Sequence, residues 1–334
     1  MDSVRNPYAP GAGNPPHELA GRDHVREQVR VAIARTRIGR AAKSVLMVGL
    51  RGVGKTVLLD KMRADAEADG ICTVRIEAPE GRSLPSLLAP ALRSALLRIS
   101  RTSAAKDRAT RALRALAGFA KALKFKYEDI EVGFDFDPEL GLADNGDLEM
   151  DLSALFEEVG QAAKIAETAV AIFLDEMQYL PEDQFAALIS ALHRCAQQQL
   201  PITLVGAGLP QLRGRAGNAK SYAERLFDYP EIGPLSREAA RLAIAKPAQD
   251  EGVAYEPDAL EEIIDCTHGY PYFLQEWGKH SWDLAEQSPI RLDEVTSATK
   301  EAIAHLDESF FRVRFDRLTP AEKRYLRAMA ELGS

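Results

Sequence analysis

One stretch limits the folds open to this chain more than any other: Gly49-Leu50-Arg51-Gly52-Val53-Gly54-Lys55-Thr56. It follows the apolar run Ser44-Val45-Leu46-Met47-Val48, whose length and flanking glycine predict a buried strand. It opens a segment with helical character from Lys55 to about Ala68. The pattern G-x-x-x-x-G-K-[ST] between a strand and a helix is a phosphate cradle. Its glycines let backbone N–H groups turn inward, and the helix N-terminus adds partial positive charge. Lys55 has the reach for β- and γ-phosphates, the Thr56 hydroxyl can ligate Mg²⁺, and Val57 is the next residue of the cradle. From average residue usage, a chance match in a chain of 334 residues is roughly a one per cent event. The match is therefore read as a nucleotide site.

The run Ile172-Phe173-Leu174-Asp175-Glu176 supplies a partner for it. A buried strand ending in a carboxylate places Asp175 near the Mg²⁺ shell. Glu176 is then set to orient and deprotonate an attacking water. No N-K-x-D or T-K-x-D guanine motif occurs in the sequence. Paired acids on this strand favour hydrolysis of ATP over phosphoryl transfer to a metabolite.

The net charge of −8 argues against a chain whose whole surface grips DNA. Cys72, Cys195 and Cys266 lie far apart and form no C-x-x-C pair, which argues against a disulfide framework or a zinc ribbon and fits a reducing cytosol. They read as small buried hydrophobes. His193, His268 and His280 are too scattered in sequence for a metal site. No apolar run approaches the roughly 18 residues of a membrane span. The Pro-, Gly- and Asn-rich start, Met1 to Pro16, is a tail, either flexible or laid along the surface.

Strands are expected at 44–48, 72–76, 169–174 and 202–205, with a fifth near 229–233. Helices are expected from Gly21 to Gly39, in two pieces over 84–123 with a break near 101–105, over 152–164, and from Pro181 to about Gln199. Arg93 to Lys126 carries ten basic residues and one acid, and Glu128 to Asp151 ten acids and no base. Within the acidic part Ile130, Val132, Phe134 and Phe136 alternate with polar or small residues, as in a half-buried strand or hairpin arm. The basic stretch could bind nucleic-acid phosphates; pairing with the acidic stretch or a solvated face is the preferred reading. Beyond Pro234 the β-branched runs stop, and helices start at Ser236, Pro257, Pro271 and Leu292, each with a cap or proline. Trp277 and Trp282, with Tyr272 and Phe273, read as core of one of these helices.

With these motifs in place, the chain resembles the additional-strand P-loop ATPases, most closely the AAA+ group and its signal-transduction relatives, including archaeal and origin-recognition-type ATPases. The resemblance runs from about Glu18 to Trp282. Leu19-Ala20-Gly21-Arg22-Asp23 is similar to the box that precedes the first helix, which implies Arg22 near the adenine. Leu204 to Pro210 stands where the group has its fourth strand and first sensor. Tyr222-Ala223-Glu224-Arg225-Leu226-Phe227 resembles the box whose arginine faces a neighbouring subunit's γ-phosphate. Gly269-Tyr270-Pro271 resembles the Gly-x-Pro motif of the lid, which implies Pro271 at the nucleotide. The implied fold is an α/β three-layer sandwich around a parallel five-stranded sheet, followed by an all-helical lid.

The implied organisation is a tail over 1–18, a P-loop core over 19–234 with an insert at about 84–150, a lid over 235–313, and the start of a winged helix over 314–334. The chain departs from the pattern where Gly206, Ala207 and Gly208 replace the polar first sensor. Either Gln211 or Arg213 substitutes for it, or water is weakly polarised. The second sensor has no clear counterpart near Tyr272, although Lys279 lies on the same helix. The expectation is thus a cytoplasmic ATPase using ATP/ADP and Mg²⁺ as a slow switch, with Glu176, Lys55 and Arg225 catalytic, and Thr56 and Asp175 on the metal. Gly49 through Val57, Arg22 and Pro271 would hold nucleotide. Homo-oligomers through Arg225, and a protein partner on the lid or on the 93–151 insert, are implied. A nucleotide-binding module with little turnover is the alternative, or a DNA-linked ATPase acting through a C-terminal winged helix beyond Ser334.

Overall fold

The computed structural model describes residues 1–11, 13–124, 126–127, 129–130 and 136–332. Two compact units emerge, Arg22–Gly233, and Met1–Gly21 with Pro234–Ser334.

The first unit is built on five strands: β1 Ser44–Val48, β2 Cys72–Glu77, β3 Val170–Asp175, β4 Ile202–Gly208 and β5 Phe227–Asp228. All pairs are parallel, in the order β2-β3-β4-β1-β5. Strand β4 thus lies between β1 and β3, the additional strand that the resemblance implies. A parallel sheet needs both faces covered, and the strands alternate accordingly. Leu46, Val48, Val74, Ile76, Ile172, Leu174 and Leu204 share one core with helices α3 Leu84–Ile99, α4 Lys106–Leu123, α5 Leu148–Ile165 and α6 Glu182–Gln197. Val45, Met47, Ala171, Phe173 and Val205 are equally buried but lie outside that core. Their face belongs to α1 Asp23–Arg37 and α2 Lys55–Ala68, which turn Val25, Val29, Leu58 and Leu59 inward. Each such fully buried side chain contributes about 1.5–3 kcal/mol.

The expected fifth strand is shorter and earlier. Regular pairing spans only Phe227–Asp228, and Pro230, with no N–H to donate, interrupts it. The segment still follows β1, since Val48 N–H donates to the Pro230 carbonyl at 3.0 Å and Ile232 N–H to the Val48 carbonyl at 2.8 Å. Helix α5 begins four residues before the expected Leu152, because the Asp147 carboxylate caps Met150 N–H at 2.8 Å. The turn before it is tied by buried Asp151, which accepts from Asn145 N–H at 2.9 Å and Gly146 N–H at 2.8 Å. The break in the 84–123 region is a 3₁₀ turn at Ser103–Ala105. On α4 the apolar side is buried, while Arg108 and Arg111 reach Glu158 at 3.5 and 3.6 Å and Arg111 reaches Glu139 at 3.6 Å. Part of the basic run is therefore paired with acids. The alternating stretch after Ile130 falls on residues 131–135, outside the described residues.

Short helices α7 Leu212–Ala219 and α8 Ala223–Leu226 complete this unit. A broad groove lined by Arg26, Val29, Ile33, Met62 and Asp65 opens towards Gly39, Asp69, Lys164 and Pro201. These last residues precede the amino ends of β1, β2, β3 and β4, away from the phosphate-cradle motif.

The second unit contains α9 Arg237–Asp250, α10 Pro257–Thr267, α11 Pro271–Leu284, α12 Leu292–Leu306, α13 Arg312–Asp316 and α14 Pro320–Leu332. Ile244, Ile263, Leu274, Trp277, Trp282 and Val295 are in its core. The N-terminal stretch is part of this unit, packed along it. Tyr8 is buried against Gly278, and its hydroxyl donates to the Ile244 carbonyl at 2.5 Å. Asn6 donates to the Lys279 carbonyl at 3.1 Å, and the Trp282 indole donates to the Asp2 carbonyl at 2.9 Å. The expected tail is a strap because Tyr8 carries enough apolar surface to offset its ordering. Helix α14 is opened by Thr319 and Glu322, which bond each other's backbone N–H at 3.3 and 2.8 Å. None of its residues is buried.

Candidate nucleotide site

The chemistry-bearing residues of the first unit collect at the carboxyl ends of β1, β3 and β4, where ligands of open α/β sheets bind. Gly49 N–H continues the ladder, donating to the Gly208 carbonyl at 3.2 Å. The loop then turns through Gly52 and Gly54 at φ of 83° and 86°, a region costly for residues with a Cβ. Gly54 is also the N-cap of α2 and brings no side chain to cap it. The helix amino end is left for a ligand's oxygens. Leu50 and Arg51 are exposed, Val53 is buried, and Lys55, Thr56 and Val57 are half-buried.

The Lys55 ammonium donates to the carbonyls of Gly49 at 3.0 Å and Leu50 at 2.7 Å, so it lies along the loop. Burial lowers its pKa; the charges of Glu176 and Asp175 oppose that shift, and Arg51 adds to it. Lysine and both acids thus share one electrostatic neighbourhood. Asp175 ends β3 at 2 % exposure. Its Oδ1 accepts from Glu176 N–H at 2.8 Å, and its Oδ2 lies 3.4 Å from the Arg75 guanidinium. Arg75 also binds Asp60 at 2.7 Å, linking β2 to α2.

Glu176 adopts φ 54° and ψ 35°, left-handed backbone that is uncommon for a side-chain-bearing residue. Such strain is found where surrounding structure over-determines it. Here the Gln178 amide donates to the Glu176 carboxylate, while its oxygen accepts from Leu209 N–H at 3.2 Å. Arg215 of α7 donates to the carbonyls of Gln178 and Leu180. Tyr179 accepts on its hydroxyl from Arg51 at 2.6 Å.

The glycines at the end of β4 follow from this packing. A Cβ on Gly206 would stand 2.2 Å from the Met177 sulfur, and one on Gly208 3.1 Å from the Gln178 amide oxygen. Met177 and Gln178 fill the room that a sensor side chain would need. Neither expected substitute is drawn in to replace it: Gln211 is exposed, and Arg213 donates to the Tyr229 carbonyl at 3.2 Å. Gln178, Arg75 and Arg215 belong to none of the sequence motifs. The only signal was the glutamine two residues after Asp-Glu.

Arg22 is buried, with its guanidinium bonded to the carbonyls of Val53, at 3.5 Å, and Gly233. Burial lowers its pKa. It braces the cradle backbone. Arg225 is exposed on α8. Pro271 starts α11 in the helical unit, where the Gly269 carbonyl accepts from Leu235 N–H at 2.9 Å. Lys279, on the same helix, pairs with Asp283 at 3.6 Å. Of the cysteines only Cys195 is buried; Cys72 and Cys266 are half-buried.

Residues 18–205 match the model of a family described as the AAA ATPase domain. Residues 308–334 match a domain of unknown function (DUF8462). A comparison with curated proteins found no match. Among solved structures, the chain is similar to Cdc6p from Pyrobaculum aerophilum at 17 % identity and a TM-score of 0.55, covering 90 % of this chain and 71 % of that one. It is also similar to the Orc1 protein of Aeropyrum pernix, solved in complex with DNA, at 18 % identity and a TM-score of 0.50, covering 95 % and 73 %. At these identities the likeness is one of fold. The family model spans more than half of the chain, from the residue before the Gly-Arg box to the fourth strand, and takes in both the glycine loop and the acidic strand end. The chain belongs to the AAA ATPase domain family, with the fold of an AAA+ P-loop ATPase.

Proposed function

We propose that the chain binds ATP and, with Mg²⁺, hydrolyses it, using the exchange of ATP for ADP as a conformational switch. The observation that carries this reading is the meeting of an uncapped glycine loop, Lys55 and two strand-end carboxylates at one edge of the sheet. Backbone N–H groups from Gly49 to Thr56 would hold the phosphates, with Lys55 on the terminal ones and Val57 behind them. Thr56 and buried Asp175 fit a hard divalent cation, since both present oxygen. Mg²⁺ supplies charge neutralisation on the phosphates when bound. Glu176, half-buried and fixed by Gln178, would accept a proton from water. Arg225, exposed on a helix end, suits contact with a neighbouring copy's γ-phosphate. Arg22 would act through the loop it braces, and Pro271 from the helical unit.

The similar Orc1 was solved with DNA, whereas in this chain the net charge of −8 and the pairing of Arg108 and Arg111 with acids favour a protein partner. Among the described residues no helix is long and apolar enough to cross a membrane. We place the protein in the cytoplasm.

The test is phosphate release from ATP and Mg²⁺ across protein concentrations, beside Glu176→Gln and Lys55→Ala. Release that Glu176→Gln stops while nucleotide stays bound supports hydrolysis. A rise steeper than protein concentration, lost in Arg225→Ala, supports a shared site. Nucleotide affinity unchanged by Lys55→Ala overturns the assignment. Retained nucleotide without release would instead identify a binding module with little turnover.

A further inference from the structure

Helices α11 and α12 of the second unit bring together three side chains from a stretch in which the first and last are 29 positions apart, Glu276, His280 and His305. Glu276 and His280 are four residues apart and share one face of α11. His305 comes from the last turn of α12. One donor atom from each lies within 4.8 Å of the other two. His305 Nδ1 is 3.4 Å, and His280 Nε2 3.8 Å, from the same carboxylate oxygen, Glu276 Oε2.

Two features set this cluster apart from an ordinary ion pair. Glu276 is 1 % exposed, and its Oε2 is buried without a hydrogen-bond partner. His280 Nε2 is buried and unpartnered as well. The Tyr272 hydroxyl bonds the Glu276 carboxylate, but a buried carboxylate oxygen left unpaired is costly. The two imidazoles approach that oxygen only at 3.4 and 3.8 Å, and neither hydrogen-bonds it. Imidazole in its neutral form is a metal ligand. The other ring nitrogen of His280 faces Glu301 Oε2 at 3.7 Å. A carboxylate behind a histidine is the usual arrangement for fixing the tautomer of a metal ligand.

We propose that Glu276, His280 and His305 bind a divalent transition-metal cation of the zinc type, clipping α11 to α12, with Glu301 as the positioning residue for His280. Two imidazoles and one carboxylate suit Zn²⁺, with water in the fourth place. Zinc bonds of about 2.0–2.2 Å set tetrahedral donors about 3.3 Å apart. The two histidine–carboxylate distances, 3.4 and 3.8 Å, are near that spacing, and all three donors lie within 4.8 Å of one another. His305 is half exposed and gives the ion a way in.

The experiment uses the full chain, stripped of metal, titrated with Co²⁺ as a visible probe and then with Zn²⁺. One equivalent of Co²⁺ should give tetrahedral d–d absorption that one equivalent of Zn²⁺ bleaches. His280→Gln and His305→Gln should each weaken binding more than about a hundredfold, and Glu301→Gln by about ten- to a hundredfold. Exposed His24→Gln should change nothing. Zn²⁺ should raise the melting temperature of the wild type but not of His305→Gln, a surface change that leaves folding intact. Absorption unaltered in His280→Gln and His305→Gln, or no saturable binding, overturns the proposal and leaves the cluster as a histidine–carboxylate pair.

Discussion

The side-chain amide of Gln178 bonds the Glu176 carboxylate on one side and the backbone N–H of Leu209, 3.2 Å away, on the other. One residue therefore ties the candidate base just after β3 to the residue that follows β4. The link stands where the resembled families place a polar sensor on β4 itself.

Replacing Gln178 by Ala should leave nucleotide affinity near that of the wild type, because Gln178 does not belong to the glycine loop. Turnover should fall about ten- to a hundredfold, the scale of losing an orienting hydrogen bond to a general base. Gln178→Glu, which sets a second carboxylate beside Glu176, should fall at least as far. Parallel measurement of nucleotide binding and phosphate release separates positioning from binding; an equal loss of affinity would argue against it.

Much of this was legible because local rules carry it. The strand–loop–helix at 44–68, the acid pair closing Ile172 to Leu174, and the proline starts at Pro257 and Pro271 all obey short-range patterns. What was not legible depends on tertiary neighbours. Nothing near Gly206 in sequence says that Met177 will occupy its face. Nothing near Arg75 says that Asp175 will be its partner, since that contact crosses between strands 100 residues apart. The strap of Tyr8 over α11 and the meeting of His280 with His305 are likewise long-range. The resemblance to the Gly-Arg box places Arg22 near the adenine; that its guanidinium bonds the carbonyls of Val53 and Gly233 is a long-range feature no local pattern signals.

Gly206 makes a second prediction. Its added Cβ would meet the Met177 sulfur at 2.2 Å and Leu46 Cδ2 at 2.6 Å, closer than real contacts allow. Gly206→Ala should destabilise the chain by about 1–3 kcal/mol through overpacking. It should also reduce turnover, since Met177 carries the neighbouring Gln178. Denaturant unfolding of Gly206→Ala with and without Met177→Ala tests the account. Part of the lost stability should return in the double variant, and strictly additive losses would refute it.

The buried thiol of Cys195 gives a pH-dependent prediction. Desolvation pushes it up to about 12 from an ordinary 9.0. A group whose folded pKa is raised contributes stability that is complete below its unfolded pKa. That contribution is lost as pH rises from about 9 to about 12, because the unfolded thiol ionises first. Alkaline unfolding should therefore begin later in Cys195→Ala, relative to its own stability at pH 7. In the native chain at pH 8 burial keeps Cys195 as the unreactive thiol. A thiol reagent should reach half-buried Cys72 and Cys266 first, and Cys195 only on unfolding.

Arg75 and Asp175 give the last prediction. Asp175 is almost fully buried, and the Arg75 guanidinium at 3.4 Å is its cationic neighbour on β2. Removing Arg75 strips the buried carboxylate of its bonded guanidinium, at a cost of about 1–3 kcal/mol for a hydrogen-bonded group. Arg75→Met should thus lower the stability of the nucleotide-free chain by that order. If Asp175 also faces the Mg²⁺ of bound nucleotide, the same change should strengthen Mg²⁺-dependent nucleotide binding, because guanidinium and metal no longer compete for one carboxylate. Melting temperatures taken with ADP alone and with ADP plus Mg²⁺ distinguish the two effects. The gain from Mg²⁺ should be larger in Arg75→Met than in the wild type and absent in Asp175→Asn. An equal gain in all three would place the cation elsewhere.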